Sequence, residues 1–181
     1  MLVGLVLAIR EKGLAQTQVT DIVRHAGASR RTFYRYFADK DACFIALAES
    51  LFELVRSEVE AAIDPAAPWE SQIDAAIDVY LSIIEADPPL ASAFRHHLPA
   101  LGERGLQIER DTMDRYAEMV IRLSSTDQMR RSGVAAATPA LALMLIGGID
   151  AVVGRAIAAD EPIGELGPAI KDLFKRSLRP A

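Results

Sequence analysis

Apolar residues along this chain recur at spacings of three and four, and no stretch alternates apolar with polar between turn residues. A stripe of period 3.6 buries one face of a helix, whereas a half-buried strand needs period 2. The expected fold class is therefore all-α. The breaks are equally legible. Gly13 accepts positive φ and closes a first helix running from Leu2 to about Lys12. Thr17 is placed to cap a second helix, with Val19, Ile22, Val23 and Ala26 as its buried stripe, and Gly27 ends it. Ser29 caps a short third helix from Arg30 to about Phe37. Asp39 caps a fourth, Lys40 to about Ala62, with Phe44, Leu47, Leu51, Leu54 and Val55 inward. Pro65 and Pro68 stop it, because proline fixes φ and removes a donor. Further helices are expected from Trp69 to Glu85, up to Asp87-Pro88-Pro89, and then through Phe94, His96 and His97 to near Pro99. The rest run from about Leu101 or Gly105 to Leu123, from about Pro139 to Ala158, and from Ile163 to Leu178. Residues 124–138 read as a mobile connection, helical in part. The expectation is nine helices, three short ones in front and six behind.

With 181 residues, 51% of them hydrophobic, the chain can bury one sizeable core or join a small domain to a larger one. The single Cys43 excludes an internal disulfide framework and a multi-cysteine zinc site, and suits a reducing cytoplasm. The apolar start lacks the basic region and cleavage pattern of a secretory signal. Residues 132–149 carry no charge, but Ser132, Thr138, Pro139, Gly147 and Gly148 shorten the apolar run, and Asp150 and Arg155 follow. A buried or interface helix is expected there, not a membrane span. There is no Gly-rich phosphate loop, nucleophile elbow or two-histidine metal spacing, so neither an enzyme, a cofactor nor a metal site is expected. His96 and His97 are adjacent on a helix and point about 100° apart, which prevents their sharing one ion. Cys43 reads as packed, and Glu109, Asp111 and Asp114 as a solvated face.

Charge is uneven. Residues 1–45 hold 7 Lys+Arg and 4 Asp+Glu, whereas residues 46–181 hold 13 and 21. A basic front on an acidic body implies that the front meets an anion. Within it, Ala26-Gly27-Ala28-Ser29 joins two short helices. On the second of them, Phe33 and Phe37 share one side with Ala28 beneath, and Arg30, Arg31, Tyr34 and Arg35 lie on the other. A short helix with an aromatic underside and an arginine-rich top, angled sharply from its predecessor, reads as a helix-turn-helix. Arginine can bond guanine O6 and N7 bidentately, and hydroxyls such as those of Thr32 and the tyrosines can bond phosphate.

The residues Gly13, Thr17, Val19, Asp21, Ile22, Ala26, Gly27, Ser29, Thr32, Tyr34, Phe37, Lys40 and Phe44, at those spacings, resemble the DNA-binding domain of tetracycline-repressor-type (TetR family) transcriptional regulators. The likeness covers about residues 1–47. It implies a three-helix helix-turn-helix domain over residues 1–45, followed by a six-helix effector-binding and dimerisation bundle over 46–181. By position, it puts Thr17 or Gln18 near a phosphate and Thr20 toward the groove. Arg30, Arg31 and Thr32 fall at the base-facing start of the recognition helix, after the capping Ser29. Arg35 shares that exposed side, and Tyr34, Tyr36 and Lys40 match positions that grip the backbone. The chain departs from the pattern in starting inside the first helix without a basic arm, which points either to a truncated start or to absent minor-groove contacts. Tyr36 replaces a common histidine and carries no positive charge.

In the body, Phe52, Trp69, Tyr80, Phe94, Met113, Tyr116 and Met119 are soft or aromatic groups suited to an apolar cavity between helices, with His97 as polar lining. On the last two helices, Leu141, Leu145, Ile149, Val152, Val153 and Ile157, with Ile170, Leu173 and Phe174, could form half of a four-helix interface. The family likeness implies the same: a homodimer through these helices, a small effector in the preceding ones, and an inverted-repeat DNA operator, usually repressed. The expected effector is mostly apolar. A second reading is a helical ligand-binding or sequestration protein with an impaired DNA-reading head.

Overall fold

The computed structural model describes residues 1–179. Among them the order is α1 (Leu2–Gln16), α2 (Val19–His25), α3 (Arg30–Tyr36), α4 (Lys40–Ala61), α5 (Trp69–Ala86), α6 (Pro88–His97), α7 (Glu103–Ser124), α8 (Asp127–Arg131), α9 (Pro139–Ala159) and α10 (Gly167–Leu178). Short 3-10 turns occupy Pro99–Leu101 and Ile163–Leu166. The all-α class holds, with ten helices instead of the nine expected. The additional one, α8, lies in the stretch read as a connection. The hydroxyl of Thr126 accepts from the Met129 amide and starts it, and Met129 is buried.

Two other boundaries differ. Asp87-Pro88-Pro89 ends α5 but also begins α6. Asp87 accepts from the Leu90 amide, and the prolines occupy first-turn positions that need no donor. Helix α1 breaks at Gly13, with φ of 76°, and resumes for a short stretch to Gln16. The residue preceding α2 is thus Gln18, whose amide donates to Asp21 at 2.9 Å.

The chain divides into two compact units. The first takes Met1–Glu53 together with Asp87–Glu109. Its core is built from Leu5, Ile9, Ile22, Phe33, Cys43, Phe44 and Leu98, all essentially without exposure. Helices α1 and α2 approach so closely that a Cβ on Gly4 would stand 2.4 Å from the Ile22 carbonyl oxygen. Helix α6 joins the same core: the Phe94 ring stacks on Phe44 at 5.1 Å and tilts against Phe52 at 5.6 Å. Arg10 of α1 grips Asp87 at 2.6 Å, the carboxylate that also caps α6.

The second unit comprises Leu54–Ala86 and, among the described residues, 110–179. Its core gathers Trp69, Ile73, Ile77 and Leu81 of α5 with Leu145, Ile149 and Val153 of α9 and Ile170, Phe174 and Leu178 of α10. Two ion pairs tie α10 to α5, Lys171 to Asp78 at 2.5 Å and Lys175 to Asp74 at 2.6 Å. The buried Ser124 hydroxyl accepts from the Ala137 amide at 2.9 Å, anchoring the segment after α8. Helix α9 is long and apolar enough to cross a membrane by length and composition. Its face through Ala142, Leu145, Ile149, Val153 and Ala156 is instead buried in the unit's core.

Candidate nucleic-acid interface

The joint between α2 and α3 sets the start of α3. The Ala28 amide reaches back to the Val23 carbonyl at 2.9 Å, and Gly27 between them sits at φ of 59°, in the left-handed region where a side chain is strained. Ser29 then caps α3: its Oγ accepts from the Thr32 amide at 3.0 Å and lies 2.9 Å from the Thr32 hydroxyl. Phe33 is wholly buried and meets Tyr34 edge-on at 5.4 Å and Phe37 at 5.6 Å. Burying such a ring stabilises by about 2–3 kcal/mol and fixes the rotation of a seven-residue helix that could not stand alone. With Phe33 inward, Arg30, Arg31, Tyr34, Arg35 and Tyr36 are exposed together.

The head's basic side chains fall into two sets. Arg10 is held by Asp87, Lys12 by Asp21 at 2.8 Å, and Arg24 by Glu11 at 2.7 Å with Asp21 at 3.6 Å. His25 shares Glu11 at 2.6 Å. The hydrogen bonds from Arg24 and His25 hold the Glu11 carboxyl below the usual carboxylate range. Those from Lys12 and the Gln18 amide do the same for Asp21. Lys40 donates to the Leu14 carbonyl at 2.9 Å. By contrast, Arg30 and Arg31 make no hydrogen bond or ion pair among the described residues.

Most of the residues expected to meet DNA lie on this surface, with exceptions. Thr17 does not: it is 2% exposed, and its hydroxyl donates to the Gly13 carbonyl at 2.8 Å, so it closes the end of α1 and neither caps α2 nor faces outward. Gln18 and Thr20 are exposed at the start of α2, and Thr32 is half-buried beside its cap. Lys40 is half-buried, with one of its three donors already used.

The residues expected to line a cavity are dispersed. Phe52 and Phe94 pack into the first unit, where His97 is half-buried. Trp69 belongs to the main core of the second unit. Tyr80, Tyr116 and Met119 meet there around Val55 and Val59, while Met113 is half-buried. The expected interface set also splits. Leu145, Ile149, Val153, Ile170 and Phe174 are buried in their own unit, with the half-buried Leu141 and Ile157 packed against them. Val152 and Leu173 are exposed, and with them Leu143 and Met144, which the pattern did not single out. A helix apolar on every side carries no sequence signal of which face is inner.

Residues 7–47 match the family described as bacterial regulatory proteins, tetR family. Over that segment the chain resembles the TetR family. It is 34% identical over 77 residues to YvdT, an uncharacterized HTH-type transcriptional regulator of Bacillus subtilis, and 31% identical over 87 residues to the HTH-type transcriptional regulator EthR of Mycolicibacterium smegmatis. These alignments take in 42% and 47% of this chain, and the chain spans 40% of the length of each relative. The likeness of fold extends further than the likeness of sequence. The FadR structure from Bacillus subtilis, in complex with stearoyl-CoA, matches with a TM-score of 0.77 over 95% of this chain and 94% of its own, at 20% identity. FadR from Bacillus halodurans matches with a TM-score of 0.76 over 95% and 90%, at 21% identity.

Proposed function

We propose that this chain is a ligand-responsive, DNA-binding transcriptional regulator, a repressor that binds an inverted-repeat operator as a homodimer in the bacterial cytoplasm. Residues 1–45 are the reading head, and residues 46–181 bind the effector and the second copy. The observation that carries the reading is α3 itself. It is capped by Ser29, locked by the buried Phe33, and leaves Arg30 and Arg31 exposed with their donors uncommitted. Uncommitted arginines on a rigid short helix suit guanine O6 and N7 in the major groove. Arg10, Lys12 and Arg24, by contrast, are each paired with a carboxylate.

The exposed apolar groups of α9 and α10 support the dimer: Leu143, Met144, Val152 and Leu173 are 46%, 66%, 39% and 49% exposed. Two heads related by a twofold axis read two half-sites, which is why the operator is an inverted repeat. The effector is small and mostly apolar, with Tyr80, Tyr116 and Met119 as its nearest candidates in the second unit. It acts by binding the DNA-competent and DNA-incompetent states unequally. The structural neighbours include FadR in complex with stearoyl-CoA and the ketosteroid transcriptional regulator KstR2 of Mycobacterium tuberculosis, which makes acyl thioesters and steroids the first compounds to try.

The test is selection of bound DNA from a random pool by the full-length chain, followed by titration across salt and ligand competition. An enriched inverted repeat is expected, bound with an affinity that falls steeply as salt rises. Failure to enrich any sequence sinks the regulator. Displacement of DNA only by highly charged metabolites that lack a long apolar part sinks the apolar effector.

A further inference from the structure

Arg35 and Tyr36 occupy the last turn of α3 and are both exposed, Tyr36 at 63%. Neighbours on a helix point about 100° apart and do not ordinarily face each other. Here they do. The Arg35 guanidinium carbon lies 4.9 Å from the centre of the Tyr36 ring, and Arg35 Nη2 donates to the Tyr36 hydroxyl oxygen at 2.9 Å. No carboxylate pairs with Arg35 among the described residues. Its charge is retained while its orientation is set by the ring and the hydroxyl.

This contact has a direct chemical reading. The Tyr36 oxygen accepts from Arg35, so its own proton is free to donate outward. The guanidinium keeps its remaining N–H donors and its full positive charge. The pair therefore offers two convergent donors, one neutral and one cationic, to an acceptor with two oxygens side by side. A DNA backbone phosphate has two such oxygens and a negative charge. The pair also supplies the cation that Tyr36 alone lacks. We propose that Arg35 and Tyr36 act as one phosphate clamp, distinct from the base-reading Arg30 and Arg31. The Tyr36 hydroxyl donates to one phosphate oxygen, and Arg35, held over the ring, neutralises the group. This rests on the DNA-binding reading above.

The experiment uses the full-length chain and the operator enriched by the unmodified protein. Affinity is measured from low to moderate salt for Arg35→Gln, Tyr36→Phe and the double variant, and each variant is also put through selection from the random pool. Arg35→Gln should reduce the slope of log affinity against log salt by about 0.9, the value for one phosphate no longer neutralised. Tyr36→Phe should weaken binding several-fold. Its effect should shrink at least threefold in the Arg35→Gln background, because the two donors serve one phosphate. Neither variant should change the enriched sequence. An unchanged slope in Arg35→Gln, additive effects in the double variant, or an altered base preference in either single variant overturns the clamp while leaving the regulator intact. Failure of the unmodified chain to enrich any DNA overturns both together. Thermal melts guard against misfolding, and Arg35→Lys gives a second handle. It should keep the salt slope but lose the coupling to Tyr36, because an ammonium is a point charge without the planar fork.

Discussion

Lys40 and the carbonyl it binds are 26 positions apart, and that bond changes what the side chain does. The family likeness implies that Lys40 grips a phosphate. In the fold its ammonium also satisfies the Leu14 carbonyl near the end of α1. Lys40→Ala is therefore expected to lower stability by about 1 kcal/mol as well as to weaken all DNA sequences alike. A urea titration run beside the binding assay separates the two effects, and an unchanged midpoint would leave the Leu14 contact without energetic weight. The same limit applies to the other basic residues. Their clustering near α3 is plain in the sequence. Which of them is free depends on partners such as Asp87, 77 positions from Arg10, and no local pattern encodes that. Glu11 and Asp21 carry a pH consequence. Their folded carboxyls titrate below the ordinary range. Their contribution is fully present above the unfolded carboxyl values, about 4 to 4.5, and is lost as pH falls through the lowered folded values. The acid side of a plot of thermal midpoint against pH should flatten in Glu11→Gln and Asp21→Asn; unaltered curves would deny these pairs a part in acid unfolding.

The helices are legible where a cap announces them. Ser29 before α3 and Asp39 before α4 were identifiable from type and position, and both accept the expected amide bonds, from Thr32 at 3.0 Å and from Ala42 at 2.7 Å. The start of α6 carried an equally good signal, an aspartate followed by two prolines, which reads as a stop and a start at once. Helix α8 has only five residues, too few for a periodic stripe, and its one local mark is the capping Thr126. These differences make α3 the element most sensitive to its cap. Ser29→Ala should lower stability by about 1 kcal/mol. Because fraying would be confined to α3, DNA affinity should fall more than the melting temperature suggests. Ser29→Asn, which can cap equally well, should restore both. If Ser29→Asn binds as poorly as Ser29→Ala, the hydroxyl acts on the DNA and not on the helix.

Across the whole molecule, one pair of helices carries two apolar sets, one buried and one exposed. Phe174 is 7% exposed and fills the core of the second unit, whereas Leu173 beside it is 49% exposed. Phe174→Ala is expected to destabilise by about 3–5 kcal/mol, as for a large ring removed from a packed site. Leu173→Asp should leave the unfolding of a subunit nearly unchanged but shift sedimentation from dimer to monomer. A variant that melts early and remains dimeric would reverse that assignment. The position of Met144, 66% exposed among these apolar neighbours, gives the surface a chemistry of its own. A thioether in water is open to peroxide and becomes a polar sulfoxide, while one shielded by protein is spared. Met119 and Met129, each 6% exposed, should resist oxidation at any dilution. Met144 should oxidise quickly in dilute solution and slowly in concentrated solution, so that mass spectrometry of one sulphur atom reports how often two copies of the chain meet.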